Sequence, residues 1–402
     1  MTSLMRQAGP APMFEHRQDV IIIGGGLQGC AIALFLARAG SSVGVIERTV
    51  AGRHASGVNA GGLRLLLRDH REYPIAVRAM EIWSSLEEFV GRAGAQASEV
   101  RLRTSQIAIA MDAKEMSWAE DRAMDMDRRG ILNERLLDGR EARRLLPGIS
   151  SQVLGGLISE PDGHANPANA ARAFRLAAAA AGAHIEEGCR VQRLERTGSG
   201  LWRVETDRGP AEAEIVINCA GAWGAGVARL VDETLSLEAM ALSMMVTSRV
   251  EHFVTPVVIG IDRPLSFKQS AAGSLVIGGG IAGKPCLDDA TSFTIMDRMV
   301  SSAAATIDAF PCLSHVPVLR TWTGLEGVTP DGIPYIGPSV RHPGLWHVFG
   351  FCGHGFQLSP AVGEIVATSI LSGKRDARLL PFSVDRFKAG QPVRGGGDDA
   401  AA

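Results

Sequence analysis

The chain has 402 residues, with 41 basic and 43 acidic side chains and a formal net charge of -2. The two signs are mixed along the chain without a basic block, which argues against a surface built to neutralise nucleic-acid phosphates, and no apolar run approaches the roughly 18 residues of a membrane helix. Six scattered cysteines with no CxxC pair read as reduced packing residues, and the length exceeds one ordinary core, so a cytoplasmic protein of two joined domains without a metal site is expected.

Residues 1–17 carry Pro10 and Pro12 and no periodicity, and are expected to be disordered. Val20, Ile21, Ile22 and Ile23 then form an unbroken apolar run, the pattern of a parallel strand buried on both faces. Gly24, Gly26 and Gly29 follow at GxGxxG spacing. The first permits a tight strand-to-helix turn, the second lets backbone approach a pyrophosphate, and the third lets the helix pack close to the strand. Phosphates would sit on the helix N-terminus, where free N–H groups and the macrodipole favour anions. Leu27, Cys30, Ala31 and Leu34 recur at helical spacing, Gly40 ends the helix, and a second strand runs over 43–46. Glu47 closes that strand where a carboxylate can accept from ribose hydroxyls, with Arg48 beside it on the cofactor side.

The loop over 51–64 is rich in small residues, which let backbone approach a flat ligand, and Asn59, Gly61, Gly62 and Arg64 lie just past the ribose position. Pro74 opens an amphipathic helix running to about 90. Between 93 and 149 a strand at 106–111 and two polar helical stretches read as an insertion. From Val153 the first unit is expected to resume with a strand, followed by EPDGHANP and an alanine-rich helix over 168–181. Short strands near 190–195, 201–205 and 213–218 lead to Ala220, Gly221 and a helix over 223–230. Residues 236–324 hold strands at 240–246, 253–259, 265–268 and 275–278 with a helix over 291–310, a suitable cover for a cofactor face. The last third contains RTWTGLEGVTPDGIPYIGP, then a strand at 345–349 running into Gly350, Gly353 and Gly355 and a helix over 360–371, a second positive helix end beside the ligand. Residues 388–402 are Gly-, Asp- and Ala-rich and are expected to be disordered.

Together, the glycine turn and the motifs ASGVNAGGLR, PDGHANP, VINCAGAW, TPDGIPYIG and GFCGHGF resemble the FAD-dependent amino acid oxidase family from about residue 18 to 375. Within it the chain is most similar to β-subunits of sarcosine, proline, hydroxyproline and opine oxidases and dehydrogenases. The resemblance implies an α/β fold: a Rossmann-type, glutathione-reductase-like FAD-binding domain (18–92, 150–235 and 325–385) with an interleaved α+β substrate domain (93–149 and 236–324). It also implies non-covalent FAD. Gly24, Gly26, Gly29 and Glu47 would hold its ADP half, Ser56, Asn59, Ala60 and Gly61 would pass along the flavin, and Val191 would meet adenine. Ala220, Gly221 and Trp223 would approach the pyrophosphate, and Asp331, Gly353, His354, Gly355 and Phe356 the ribityl chain and pyrimidine edge. The implied reaction is hydride transfer to flavin N5 from the carbon beside the nitrogen of an amino acid or secondary amine, giving an imine. Two alternatives stay open: a 2-hydroxy acid or glycerol-phosphate dehydrogenase with His354 as base, and a non-catalytic flavoprotein subunit.

Three positions depart from the family pattern. Glycine-oxidase-like members carry an arginine where this chain has Glu326, monomeric sarcosine oxidases carry a lysine where it has Gln357, and their covalent flavin cysteine aligns near Gly324. A substrate carboxylate is not expected beside an ionised Glu326, because two unit charges at 4 Å interact by about 4 kcal/mol at an effective dielectric of 20. Arg64, Lys268 and Arg320 are the replacement cations; Arg64 has the planar fork suited to a carboxylate, and Arg320, on the face of Trp322, can also neutralise Glu326. Glu326 itself suggests a substrate with a cationic or extra polar arm. His354 is favoured over His164 as the histidine near the flavin. The strand 275–278 lacks the lysine that assists oxygen reduction in sarcosine oxidases, so a dehydrogenase is expected. Likeness to β-subunits further implies partner subunits in a hetero-oligomer that carry an iron–sulfur centre or second flavin.

Overall fold

The apolar run after Asp19 forms β1 (Gln18–Ile23), which lies parallel to and between β2 (Val43–Glu47) and the strand Gly209–Asn218. Val20 to Ile23 are all buried, as a strand covered on both faces requires. The sheet runs in the order Tyr335–Pro338, Leu345–Phe349, Gly209–Asn218, β1, β2, His184–Glu187, and Trp202–Thr206 and Val191–Arg196 extend antiparallel from Gly209–Asn218. A computed structural model describes residues 13–14 and 17–387; the expected disorder of the remaining N-terminal residues and of 388–402 lies outside that range. Phe14, expected in a disordered arm, is instead buried, and its ring fills the space left by Gly44, where a Cβ would come within 2.7 Å of it.

α1 (Leu27–Arg38) packs on the sheet against the helices Pro167–Ala180 and Gly355–Ser372. The second of these contacts is close because both partners are small: a Cβ on Gly363 would lie 2.8 Å from Ala31. The final helix begins at Gly355, five residues before its expected start. The helix expected from Pro74 to 90 is two, Tyr73–Ser84 and Leu86–Ala97.

A second sheet runs in the order Val318–Val328, Glu238–Arg249, Ser274–Gly278, Ser266–Gln269, Val257–Gly260, Gln106–Ala110, Gly155–Ser159, Arg135–Asp138. Two expected boundaries therefore move. Gly155–Ser159 does not resume the first unit but pairs antiparallel with Gln106–Ala110, and Val318–Val328 continues past residue 324 as an edge of this sheet. An apolar run identifies a buried strand without saying which sheet buries it. The helix Met296–Ala309 covers the second sheet through Met299, Ala305 and Ala309, packed with Phe267, Ile277 and Phe310. Thr291–Phe293, expected as its first turn, is a strand paired with Lys284–Cys286. Among the described residues no helix is long and apolar enough to cross a membrane.

Candidate functional site

A cavity of about 730 Å³ is lined by both sheets and runs from Glu47, Arg48 and Val191, past Gly24 and Gly26, to Arg64, Lys268, Glu326 and His354. Its first end is set by the glycine turn. Gly24 has φ +110°, and a Cβ there would run into the Cys219 carbonyl; a Cβ on Gly29 would strike the Gly24 carbonyl. Gly26 is different. A Cβ on it would meet only the Ser56 hydroxyl, at 3.1 Å, so its open side belongs to the cavity. Glu47 ties the turn to β2, accepting from the Gly25 N–H at 2.8 Å on Oε2 and from the Thr49 N–H at 2.8 Å and hydroxyl at 3.0 Å on Oε1. The Ser56 Oγ accepts from the Leu27 N–H at 2.8 Å and so caps α1 from a distant loop.

Asn59 shapes that loop: its Nδ2 donates to the Ala55 and Ser56 carbonyls, both at 2.9 Å, and its Oδ1 accepts from the Gly61 N–H at 2.7 Å. Gly61 (φ +75°) sits where a Cβ would strike the Ala165 carbonyl and come 3.0 Å from Lys268 Nζ. Arg48 lies over the Trp223 ring at 4.6 Å, and Trp223 Nε1 donates to the Leu287 carbonyl at 3.0 Å. At the other end Gly353, His354, Gly355 and Phe356 line the cavity at the start of Gly355–Ser372, whose first turn has no side-chain cap. Two uncapped or remotely capped helix ends, an open glycine, and a carboxylate and a stacked arginine at one extremity suit an elongated dinucleotide. Of the residues expected at a cofactor, Gly24, Gly26, Glu47, Arg48, Ser56, Asn59, Ala60, Val191, Ala220, Gly221, Trp223, Gly353, His354, Gly355 and Phe356 line this cavity. Gly29 and Gly61 stand behind it as packing positions.

Asp331 is a correction. It does not line the cavity but receives Arg71 at 3.3 Å and Arg386 at 2.9 Å, so its carboxylate is engaged by two arginines. Arg320 is a second correction: it is exposed, outside the cavity, and makes no ion pair with Glu326. The six residue steps from one to the other span roughly 20 Å of extended strand, too far for a shared face to become a contact.

In the cavity wall, Arg64 is buried, with one hydrogen bond, from Nη1 to the Leu66 carbonyl at 3.3 Å, and no carboxylate of the described residues at ion-pair distance. Burial, reinforced by Arg68, pushes its pKa down to about 9. The buried Asp162 holds this segment by accepting from the Leu65 and Leu66 N–H groups at 2.9 and 3.0 Å. Beneath lies a cluster that the sequence did not single out. Arg68 donates to the Arg64 carbonyl at 3.2 Å and to Gln357 Oε1 at 3.1 Å, and its Nη1 is 3.6 Å from Glu72. Glu72 Oε2 is 2.9 Å from His354 Nδ1. Burial opposes the Glu72 charge, yet His354 and Arg68 outweigh it and hold the carboxyl below its usual range. Burial likewise lowers the His354 imidazole, against the pull of Glu72. Gln357, standing where monomeric sarcosine oxidases have a lysine, is buried and donates to the Ala76 carbonyl at 2.8 Å.

Lys268 donates from Nζ to the Ala165 carbonyl at 2.9 Å, and burial lowers its pKa to about 8. Its strand Ser266–Gln269 neighbours Ser274–Gly278, with Lys268 opposite Val276. Lys268, one of the replacement cations, thus lies on the strand beside Ser274–Gly278, which itself carries no lysine. His164 pairs with Gly62 across a short ladder, outside the cavity, and burial, then Lys268 and Arg101, push its pKa down to about 4. Glu326 Oε1 accepts from the Gly353 N–H at 2.7 Å. It is half-buried and lines the cavity, and burial pushes its pKa up to about 7.

Comparison with known proteins agrees with this geometry. A model of the FAD dependent oxidoreductase (DAO) family matches residues 19–369. The chain is 27% identical over 398 residues to the sarcosine oxidase subunit beta of Rhizobium meliloti, covering 96% of this chain and 91% of that protein. It is 28% identical over 382 residues to the glycine oxidase of Geobacillus kaustophilus, covering 92% and 97%. The crystal structure of L-proline dehydrogenase from P. horikoshii superposes with a TM-score of 0.85 at 25% identity, covering 94% of this chain and all of that one.

Proposed function

This chain belongs to the DAO family of FAD-dependent oxidoreductases, and from that premise we propose that it oxidises the C–N bond of an amino acid or N-substituted amino acid, giving an imine that water hydrolyses. The observation that carries the reading is Arg64, a buried guanidinium in the cavity wall with no carboxylate of the described residues at ion-pair distance, its burial only partly offset by Glu72 and Asp162. A buried charge without a partner is costly, and a ligand carboxylate would supply the missing one. FAD, bound non-covalently, accepts hydride at N5 when present. The chain's own residues do the rest. Gly26 and the α1 end receive the pyrophosphate, Glu47 and Arg48 the adenosine, and the Gly353–Phe356 turn the flavin's pyrimidine edge. Arg64 anchors the substrate carboxylate, Lys268 adds positive charge in the same cavity, and Glu326 lines it too. The relatives named as oxidase subunits support a further part of the reading, that this chain works with partner subunits.

The test is anaerobic mixing of the flavin-loaded protein with a panel of glycine, N-methylglycine, proline and larger N-substituted amino acids, alongside 2-hydroxy acids. Bleaching of the flavin by amines and not by hydroxy acids is expected. Bleaching by hydroxy acids alone would refute the reading.

A further inference from the structure

Resting on the reading of the cavity as an amino-acid site, we propose that Glu326 is a catalytic residue that binds the substrate's ammonium and takes one proton from it before hydride transfer. Two carboxylates line the cavity, Glu47 and Glu326. Both oxygens of Glu47 are engaged by Gly25 and Thr49 at the adenosine end. Glu326 is held through Oε1, its Oε2 has no hydrogen bond among the described residues, and the residue lines the same cavity as Arg64 and Lys268. Those two cations suit a carboxylate and repel an ammonium, so an amino acid entering as a zwitterion meets one favourable place for its nitrogen.

The chemistry requires such a place. A carbon can release hydride toward an imine only when the neighbouring nitrogen has a free lone pair. An alkylammonium holds its proton up to about pH 10, so at neutral pH the ammonium must lose a proton on or before binding. Here R2NH2⁺ would give one proton to Glu326; with bound FAD supplying the two-electron acceptor, the free amine would lose its α-hydrogen as hydride while its lone pair forms the C=N⁺ bond, and the proton on Glu326 would return to solvent after product leaves. The other titratable groups around Glu326 do not compete for the role. His354, next to Gly353, has its Nδ1 against Glu72, Glu72 is in turn beside Arg68, and Cys352 bonds through Sγ with Thr329 and the Gly350 carbonyl. With burial placing its titration at about pH 7, Glu326 is ionised and ready to accept above that pH and protonated below it.

The experiment measures kcat/KM against pH for flavin reduction by N-methylglycine and proline, in wild type and Glu326→Gln, with the visible spectrum reporting cofactor occupancy. The glutamine keeps an oxygen for the Gly353 N–H. Wild type should lose kcat/KM as pH falls through about 7. Glu326→Gln should be slower by about 10²- to 10⁴-fold at neutral pH, lack that limb, and recover progressively toward pH 10 as solvent deprotonates the substrate. Should the glutamine variant not hold flavin, Glu326→Asp is read by the same recovery at high pH. A variant within about 3-fold of wild type with an unchanged profile overturns the proposal, as does a loss confined to substrates bearing a second cation, which would make Glu326 a side-arm contact. If wild type itself is bleached by no amine, the proposed function fails, and the proposal with it.

Discussion

Replacing Arg64 by Met tests the substrate anchor most directly. The guanidinium is buried with a single carbonyl partner, and the fall of its pKa from the ordinary arginine value to about 9 corresponds to roughly 5 kcal/mol against the charged form. The sign follows from the lowered folded-state value: ionised Arg64 opposes folding at every pH below about 9, and that penalty eases as pH rises toward the unfolded arginine range. Met should therefore leave thermal stability unchanged or raise it. A substrate carboxylate, by contrast, loses the partner that offsets its own desolvation. Truncating one member of a buried charge pair costs about 2–5 kcal/mol, so kcat/KM for carboxylate-bearing amines should fall by about 30- to 4000-fold. Most of the loss should lie in KM. The assay compares flavin reduction by matched amines with and without a carboxylate, and only the first set should suffer. Equal losses on both sets, or a drop in Tm with KM unchanged, would show that Arg64 packs the core and anchors nothing.

Gly26→Val should give a folded, colourless protein, because a side chain there enters the cavity, whereas Gly29→Val should fail to fold, because it strikes the Gly24 carbonyl; circular dichroism and visible absorbance on both variants separate the two effects. Acid precipitation of the yellow wild type should release the flavin to the supernatant, and colour remaining in the pellet would contradict non-covalent binding. Lys268→Met should slow reoxidation by air without slowing flavin reduction, and in wild type air reoxidation should weaken as pH rises through about 8; reoxidation indifferent to both would remove Lys268 from the reaction with oxygen.

The cofactor half of the site was legible because its signals are local. The strand, the glycine turn and the carboxylate at Glu47 lie within 30 consecutive residues, and each glycine has a distinct steric duty. The substrate half was legible as a set of residue types but less so as contacts. Arg64, Lys268, Glu326 and His354 do converge on the cavity, yet Arg320 failed because alternation reports the face of a strand and says nothing of distance along it. Asp331 failed because a loop carboxylate looks the same whether it faces a ligand or two arginines. Arg68 and Glu72 were missed for the converse reason: in a run reading RDHRE, charges normally face water, and only the fold shows both to be buried. Lys268 was legible as a cation of a cover strand, and the pairing register adds that it stands opposite Val276.

The order in which β1 finds its partners bears on how the chain is made. One edge pairs with residues 43–46, but the other waits for 213–218. At a synthesis rate of about 5–20 residues per second, that second edge stays open for roughly 10–40 s. Through that interval the nascent chain carries an apolar strand with unpaired backbone groups, the feature that templates edge-to-edge association. Fragments ending before Gly209–Asn218 should therefore aggregate however well their glycine turn forms, while chains extended past Asn218 can close β1 on both sides.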